Sequence, residues 1–145
     1  MKNDKTDNHE QLFWEEIDRL FPDMIKAIAS LSKKSYLSIT NLRTGITWWS
    51  ERAMDYFGMK ENYTIRGMEK ANRKIHPDDV ATFKRGFKER VDGKNLDTAW
   101  EYRIQDGDSY NRFNAMARVL YDEQKQPFII IIRYDNYGIS DEVDS

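Results

Sequence analysis

Residues 98–135 read TAWEYRIQDGDSYNRFNAMARVLYDEQKQPFIIIIRYD, and this stretch decides the fold. It contains three runs whose β-branched and aromatic residues are typical of strands: 98–105, 110–121 and 127–135. Polar turn residues separate them, Asp106-Gly107-Asp108-Ser109 after the first run and residues 122–126 after the second. The stretch therefore predicts an antiparallel meander, with one face free to line a pocket or to contact a partner.

A hairpin and a short helix are predicted on the N-terminal side of this meander. Residues 36–42 alternate in hydrophobicity, and Gly45 lies in the turn that leads to a partner strand at 46–49. Ser50 then has the residue type of a helix N-cap. Gly58 suits the position just after the end of that helix.

A longer amphipathic helix is predicted to begin at Asp78 and Asp79, because negative charge suits the positive end of the helix dipole. Its apolar stripe consists of Val80, Phe83, Phe87 and Val91. Strands thus come before and after a group of helices along the chain. This order predicts an α+β fold, with a five-stranded antiparallel sheet, short helices on one face and an N-terminal amphipathic helix.

The N-terminal part of the chain predicts that amphipathic helix. Residues 1–9 are expected to be a disordered lead, and residues 10–35 a helical extension. Pro22 interrupts the extension. The apolar stripe before it is Phe13, Ile17 and Leu20, and the stripe after it is Met24, Ile25, Ile28 and Leu31. Such a helix packs on its own domain or on a second copy, and we expect the first stripe to form part of a dimer surface.

Composition excludes several classes of function. The formal net charge of -2 provides no general attraction to nucleic acid or to an anionic membrane. Cysteine is absent, which excludes disulfides, thiolate metal sites and thiol catalysis. No apolar run approaches the roughly 18 residues that a membrane span needs. We therefore expect a soluble, cytoplasmic protein with no membrane span in this chain and no nucleic-acid partner.

The polar residues do not form a catalytic or metal-binding motif. His76 is accompanied only by His9, so we interpret it, with Pro77, as shaping the turn into the following helix. Glu101 and Arg103 share one face of a strand, where they form a cross-strand ion pair or contact a polar ligand. The sequence thus predicts no catalytic residue, no metal ligand and no enzymatic activity in this chain.

The apolar interior is the best candidate for a ligand site, because small-molecule pockets are mostly apolar. Nine residues are predicted to face inward between the sheet and the helices: Ile39, Met54, Phe57, Phe83, Phe87, Trp100, Tyr102, Ile130 and Ile132. Two readings remain open for them. They line a pocket for an unknown small ligand, or their large side chains simply fill the core.

Several motifs, in this order, resemble the PAS domain family, particularly its bacterial sensory members. The motifs are Leu42-Arg43-Thr44-Gly45, Trp48-Trp49-Ser50, Ile75-His76-Pro77-Asp78-Asp79, Trp100-Glu101-Tyr102-Arg103-Ile104, Asp106-Gly107 and Arg118-Val119-Leu120-Tyr121-Asp122. The resemblance covers roughly residues 36 to 135. The chain departs from the family at the end of the last strand, where Asp-Ile-Thr is usual and residues 134–137 read Tyr-Asp-Asn-Tyr.

The resemblance implies a domain organisation and partners. It implies a PAS domain over residues 36–137, followed by a linker, residues 138–145, toward an output domain such as a GGDEF diguanylate cyclase or a histidine kinase. A homodimer is expected. No cofactor is predicted, and an unknown small ligand is left open.

Three functional hypotheses follow. The first is a regulatory PAS module that binds a small ligand or a partner and passes a conformational bias to its output domain. The second is a protein-docking or dimerisation module with a filled core and no ligand. The third is a small cone-shaped α+β enzyme, which requires an acid and a base converging in one cavity.

Overall fold

A computed structural model describes residues 35–140 of the chain. Its strands, in chain order, are β1 (Tyr36–Asn41), β2 (Ile46–Trp49), β3 (Tyr63–Ile65), β4 (Trp100–Asp106), β5 (Ser109–Tyr121) and β6 (Pro127–Ile139). Its helices are α1 (Glu51–Phe57), α2 (Gly67–Asn72) and α3 (Val80–Val91), with a short 3-10 helix at Pro77–Asp79 before α3. All paired strands are antiparallel, in the order β3-β2-β1-β6-β5-β4. The predicted α+β class with an antiparallel sheet is confirmed.

The predicted number of strands is wrong, because the sheet has six strands rather than five. The additional strand, β3, pairs with β2 through Thr47 and Thr64 and extends one edge of the sheet. It contains three residues, two of which have exposed side chains. So short a strand leaves too few alternating positions to be recognised within the polar stretch between α1 and α2.

The ends of α1 agree with the residues that predicted them, whereas α3 begins at Val80, and Asp78 and Asp79 lie in the 3-10 helix before it. The Ser50 side chain accepts a hydrogen bond from the Ala53 amide, and Gly58 closes α1 with a φ of 71°. His76 caps the 3-10 helix, since its Nδ1 accepts the Asp78 amide at 3.0 Å. The interpretation of His76 as a residue that shapes the turn is therefore confirmed.

Strand β6 is the last strand of the C-terminal meander and lies in the middle of the sheet, where it pairs with both β1 and β5. It continues to Ile139, beyond the predicted end of the run at Asp135. A register shift opposite Asn111 and Phe113 accommodates this extension, with Gly138 at a φ of 88°. The predicted linker, residues 138–145, thus begins inside the strand, and its last five residues lie outside the described range.

The three helices pack on one face of the sheet, which we call the inner face. Gly86 allows α3 to approach β4 closely, because a Cβ atom there would lie 2.7 Å from Cδ1 of Trp100. Gly67 has the same role in α2, where a Cβ atom would lie 2.7 Å from Cβ of Thr47. These two close approaches bring the helices down onto the sheet and position the core between them.

Two groups of predictions fall on residues outside the described range. They are the lead and helical extension before residue 35, and the dimer surface formed by Phe13, Ile17 and Leu20. Among residues 35–140, no helix is long and apolar enough to cross a membrane.

Candidate functional site

Eight of the nine residues predicted to face inward meet in one cluster between the sheet and the helices. Six are buried, namely Phe57, Phe83, Trp100, Tyr102, Ile130 and Ile132, while Met54 and Phe87 are partly buried against them. The structure brings these side chains together from two helices, α1 and α3, and two strands, β4 and β6, which are distant in sequence. Whether they bind a ligand stays a prediction.

The ninth residue, Ile39, was placed on the wrong face of the sheet. It is buried with Ile129, on the side away from the helices, which we call the outer face. The polar residues of β1 face the core instead. Ser38 pairs with the Tyr134 hydroxyl at 3.2 Å. Thr40 pairs with Thr47, likewise through their hydroxyl oxygens, at 2.8 Å.

These hydroxyl pairs explain the error at Ile39. A buried polar group is tolerated when it has a hydrogen-bond partner, so the rule that apolar residues face inward fails for this strand. Both faces of β1 are in fact buried, since all six of its residues are buried. Alternation along β1 therefore identified a strand but not which of its faces meets the helices.

Core residues that the sequence did not single out complete the inner cluster. They include Trp49, Ile104, Phe113 and Tyr134, which are all at most 2% exposed. Phe113 is paired in register with Tyr102, so extending the alternation of β4 across to β5 would have found it. Tyr134 lies two residues beyond Ile132 on β6 and shares its face.

Aromatic rings fill most of the interior. Phe83 contacts Tyr102 edge to face, with ring centroids 4.9 Å apart. The ring centroids of Trp49 and Phe57 are 5.1 Å apart. The cavity that remains near them has a volume of about 10 Å³. Its lining consists of Phe57, Ala71, Asn72, Ile75, Phe83, Tyr102, Ile104 and Tyr134, so neither a carboxylate nor a histidine borders it. A single water molecule needs about this much space.

Tyr102 lines this cavity and carries a hydroxyl group. It is buried and has no hydrogen-bond partner among residues 35–140. Burial raises the pKa of Tyr102 well above its usual value, because the phenolate would lose its hydration. Burial also raises the pKa of Tyr134, although that hydroxyl is bonded to Ser38. Both side chains therefore act as neutral phenols at physiological pH.

Arg90 is a second buried polar residue that the sequence did not distinguish from its solvated neighbours on α3. Its guanidinium carbon lies 4.1 Å from the ring centroid of Trp100. It donates to the Gly86 carbonyl at 3.2 Å and to the Thr98 carbonyl. The side chain therefore joins the end of α3 to the start of β4 and holds the indole in the core.

An ion pair between Asp79 and Arg103 lies beside the interior. Arg103 donates from Nε and from its backbone amide to Asp79, each at 2.8 Å. This hydrogen bonding holds the pKa of Asp79 below its usual value. Of the two residues predicted to form a cross-strand pair, Arg103 thus pairs with Asp79, whereas Glu101 lies 3.5 Å from Arg112 on β5.

Backbone contacts close this edge of the sheet. The His76 amide donates to the Arg103 carbonyl at 2.9 Å, and the Gln105 amide donates to Lys74 at 2.8 Å. The edge of β4 is therefore covered by the segment that leads into α3. The sequence could not reveal the ion pair at this edge, because its two residues, Asp79 and Arg103, are 24 positions apart.

Comparison with known proteins identifies the fold. The family model of the PAS fold matches residues 46–132, more than half of the chain. Among solved structures, a sensory box histidine kinase/response regulator from Burkholderia thailandensis is 16% identical, with a TM-score of 0.61. The match covers 79% of this chain and 84% of that chain. The N-terminal domain of a diguanylate cyclase with a PAS/PAC sensor from Marinobacter aquaeolei is 15% identical, with a TM-score of 0.57 and coverages of 72% and 95%.

A third similar structure is a domain of a putative light and redox sensing histidine kinase from Haloarcula marismortui. It is 10% identical, with a TM-score of 0.53 and coverages of 78% and 99%. The search of curated proteins returned no match. At these identities the solved structures establish the fold alone, while the family model reaches from β2 into β6. The chain therefore belongs to the PAS fold family, whose domains serve in sensory signalling proteins.

Proposed function

We propose that this chain is a cytoplasmic regulatory PAS module that receives its input through protein contacts and passes a conformational bias to a C-terminal output domain. The observation that carries the proposal is the filled core. The cavity that the described residues 35–140 line between the sheet and the helices measures about 10 Å³, whereas pockets for drug-sized ligands measure roughly 300–1,000 Å³. A flavin or haem does not fit into this space, and no cofactor is proposed.

The physical mechanism is a shift of population between two packings of the sheet and its flanking segments. β6 suits this role, because it pairs with two other strands and its exposed end, at Tyr137 and Ile139, leads toward the C-terminus. A GGDEF diguanylate cyclase or a histidine kinase is the proposed output, and solved PAS domains of both kinds of protein have similar folds.

A second candidate function is the sensing of a very small ligand inside the core. The Tyr102 hydroxyl favours it, since a buried phenol without a partner is a ready donor for a molecule in the adjacent cavity. Such a ligand has the size of one water molecule, unless the aromatic residues around the cavity move.

Native mass spectrometry separates these two candidates. The purified full chain is expected to have the mass of the polypeptide alone, or of a whole-number multiple of it. A retained small molecule, released on denaturation, would contradict the filled core and support the second candidate. Absorbance of the same sample above 350 nm would reveal a bound chromophore.

Self-association is the second part of the proposal. We propose that the stripe of Phe13, Ile17 and Leu20 forms part of a homodimer surface, because it is an apolar face that has to be covered. Ile17→Asp should weaken the dimer at least tenfold in concentration-dependent sedimentation, since it places a charge in an apolar contact. Glu15→Gln, on the opposite side of the predicted helix, is the matched control. A dimer that is unaffected by Ile17→Asp would exclude this surface.

A further inference from the structure

The end of β6 contains one more residue than the segment of β5 that pairs with it. Phe113 on β5 faces Asn136 on β6. Two positions earlier on β5, Asn111 faces Ile139 rather than Gly138, so the chain advances three positions on β6 against two on β5. Gly138 has a φ of 88°, a conformation that glycine adopts without strain. The end of the strand therefore contains a β-bulge.

Few contacts hold the chain in this bulged register. The Gly138 amide donates to Oδ1 of Asn136 at 2.8 Å, which stabilises the bulge locally. Apolar contacts add little, because the side chains of Tyr137 and Ile139 are 65% and 68% exposed. Among the described strands, only β5 pairs with this end of β6, since β1 begins opposite Tyr134. Register is weakly specified where neither face of a strand is buried.

A second register is available to the same residues. If the bulge closes, the regular ladder above it continues, and Ile139 faces Tyr110 instead of Asn111. A shift of one residue moves every following side chain to the opposite face of the sheet. The chain that leaves β6 would then be turned by half a rotation about the strand axis and displaced along it by about 3.3 Å. The two registers thus correspond to two distinct orientations of the outgoing chain.

Asn111 connects the bulge to helix α1. Its side chain is 5% exposed, and its amide nitrogen donates to the Tyr56 hydroxyl at 3.0 Å and to the Asp106 carboxylate at 3.1 Å. The Tyr56 hydroxyl in turn donates to the Ile104 carbonyl at 3.3 Å. A bulge adds local twist to a strand pair, so closing it would move Asn111 relative to α1 and stretch these hydrogen bonds. The bonds of Asn111 therefore favour the bulged register.

We propose that the bulge in β6 is a register switch and that Asn111 is its latch. In the bulged register the latch is closed, with Asn111 bonded to Tyr56. A partner or ligand that displaces α1 opens the latch, and the outgoing chain turns as the ladder becomes regular. The regulatory role of the switch rests on the proposed function, whereas the two registers are a property of this chain alone, so the two can fail separately.

Cross-strand NOEs of the full chain in solution distinguish the two registers, because facing residues of an antiparallel pair lie close together. The parent chain should show Asn111 opposite Ile139. Gly138→Val should show Tyr110 opposite Ile139, because a β-branched residue strongly disfavours positive φ. A Gly138→Val chain that keeps Asn111 opposite Ile139 would overturn the proposal. Loss of all cross-strand NOEs from residues 136–139 in this variant would also overturn it, since no second register would then exist.

Tyr56→Phe tests the latch, since it removes the hydroxyl group that accepts from Asn111 and keeps the ring. The population of the regular register, measured by relaxation-dispersion NMR at residues 136–139, should rise roughly fivefold, as expected for one net hydrogen bond. Tyr134→Phe is the matched control, because it removes a buried tyrosine hydroxyl that is bonded to Ser38 instead. It should leave the populations unchanged. Equal shifts in both variants, or no shift in Tyr56→Phe, would overturn the role of the latch.

Discussion

Tyr102 places a hydroxyl group in the core without a hydrogen-bond partner among the described residues, while Tyr134 places one beside Ser38. The two phenols are equally buried, at 2% exposure, but differ in hydrogen bonding. A buried hydroxyl without a partner loses its hydration and gains nothing in return. The pair therefore allows the cost of one unpaired polar atom to be measured inside a single core.

We expect Tyr102→Phe to raise the free energy of unfolding by about 1 kcal/mol, because it removes an unpaired buried hydroxyl. Tyr134→Phe is the matched variant and should lower it by about 1 kcal/mol, since Ser38 would lose its partner. Urea denaturation of both variants measures the difference. Loss of stability in Tyr102→Phe would show that a bound water or ligand uses that hydroxyl in solution.

At the scale of secondary structure elements, Asp79 and Arg103 join the 3-10 helix to β4. The carboxylate accepts from the Arg103 side chain and backbone, and both side chains are about four-fifths buried. Charge-assisted hydrogen bonds of this kind are stronger than neutral ones. The pair therefore contributes to closing the edge of β4, along with the backbone contacts of His76 and Gln105.

Asp79→Asn should lower the free energy of unfolding by roughly 1–3 kcal/mol at pH 7. The pKa of Asp79 is lowered in the folded state, so its contribution is complete above the ordinary carboxyl pKa and is lost as pH falls through the folded value. The difference between parent and variant should thus shrink below about pH 4. Denaturation across pH 2–7 measures this.

Asp97→Asn is the control for this pH series. Asp97 pairs with Arg118 at 3.0 Å, but its side chain is almost fully exposed, and such surface pairs contribute little. Its removal should leave stability unchanged at every pH. If the free energies of unfolding of the parent and Asp79→Asn still differed at pH 2, the stabilisation by Asp79 would not depend on its negative charge.

For the whole molecule, the order of strands predicts a gradient of local stability. β6, β1 and β5 lie inside the sheet, whereas β3 is a three-residue edge strand with exposed side chains. Backbone amides in elements with few buried contacts open more easily than those in the core. The free energy of local opening is thus expected to be high at β6 and low at β3.

Hydrogen exchange tests this gradient in the intact chain. The amide of Thr64, in β3, should exchange at least about a hundredfold faster than the amide of Ile132, because edge pairs open without unfolding the core. Ala115, in the interior strand β5, serves as a second slow reference. Equal protection at Thr64 and Ile132 would contradict the assignment of β3 as a weakly held edge.

Local chemistry in the sequence was sufficient for most elements of the fold. Ser50, Gly58 and His76 act at the helix ends that their residue types predicted, because capping depends on neighbours within a few positions. The three C-terminal runs became β4, β5 and β6, since period-two alternation and polar turns are also local signals. Eight residues of the interior cluster followed from such patterns, four from helical spacing in α1 and α3 and four from alternation in β4 and β6.

Only the tertiary structure decided which face of β1 meets the helices, which residue pairs with Arg103, and how little space remains between the rings. Ile39 has the same side-chain chemistry as Ile132, yet the two lie on opposite faces, because hydroxyl pairs allow Ser38 and Thr40 to face the core. Cavity volume likewise depends on ring positions contributed by strands and helices that are far apart in sequence. Non-local packing cannot be read from neighbours along the chain, whereas turns, caps and alternation can.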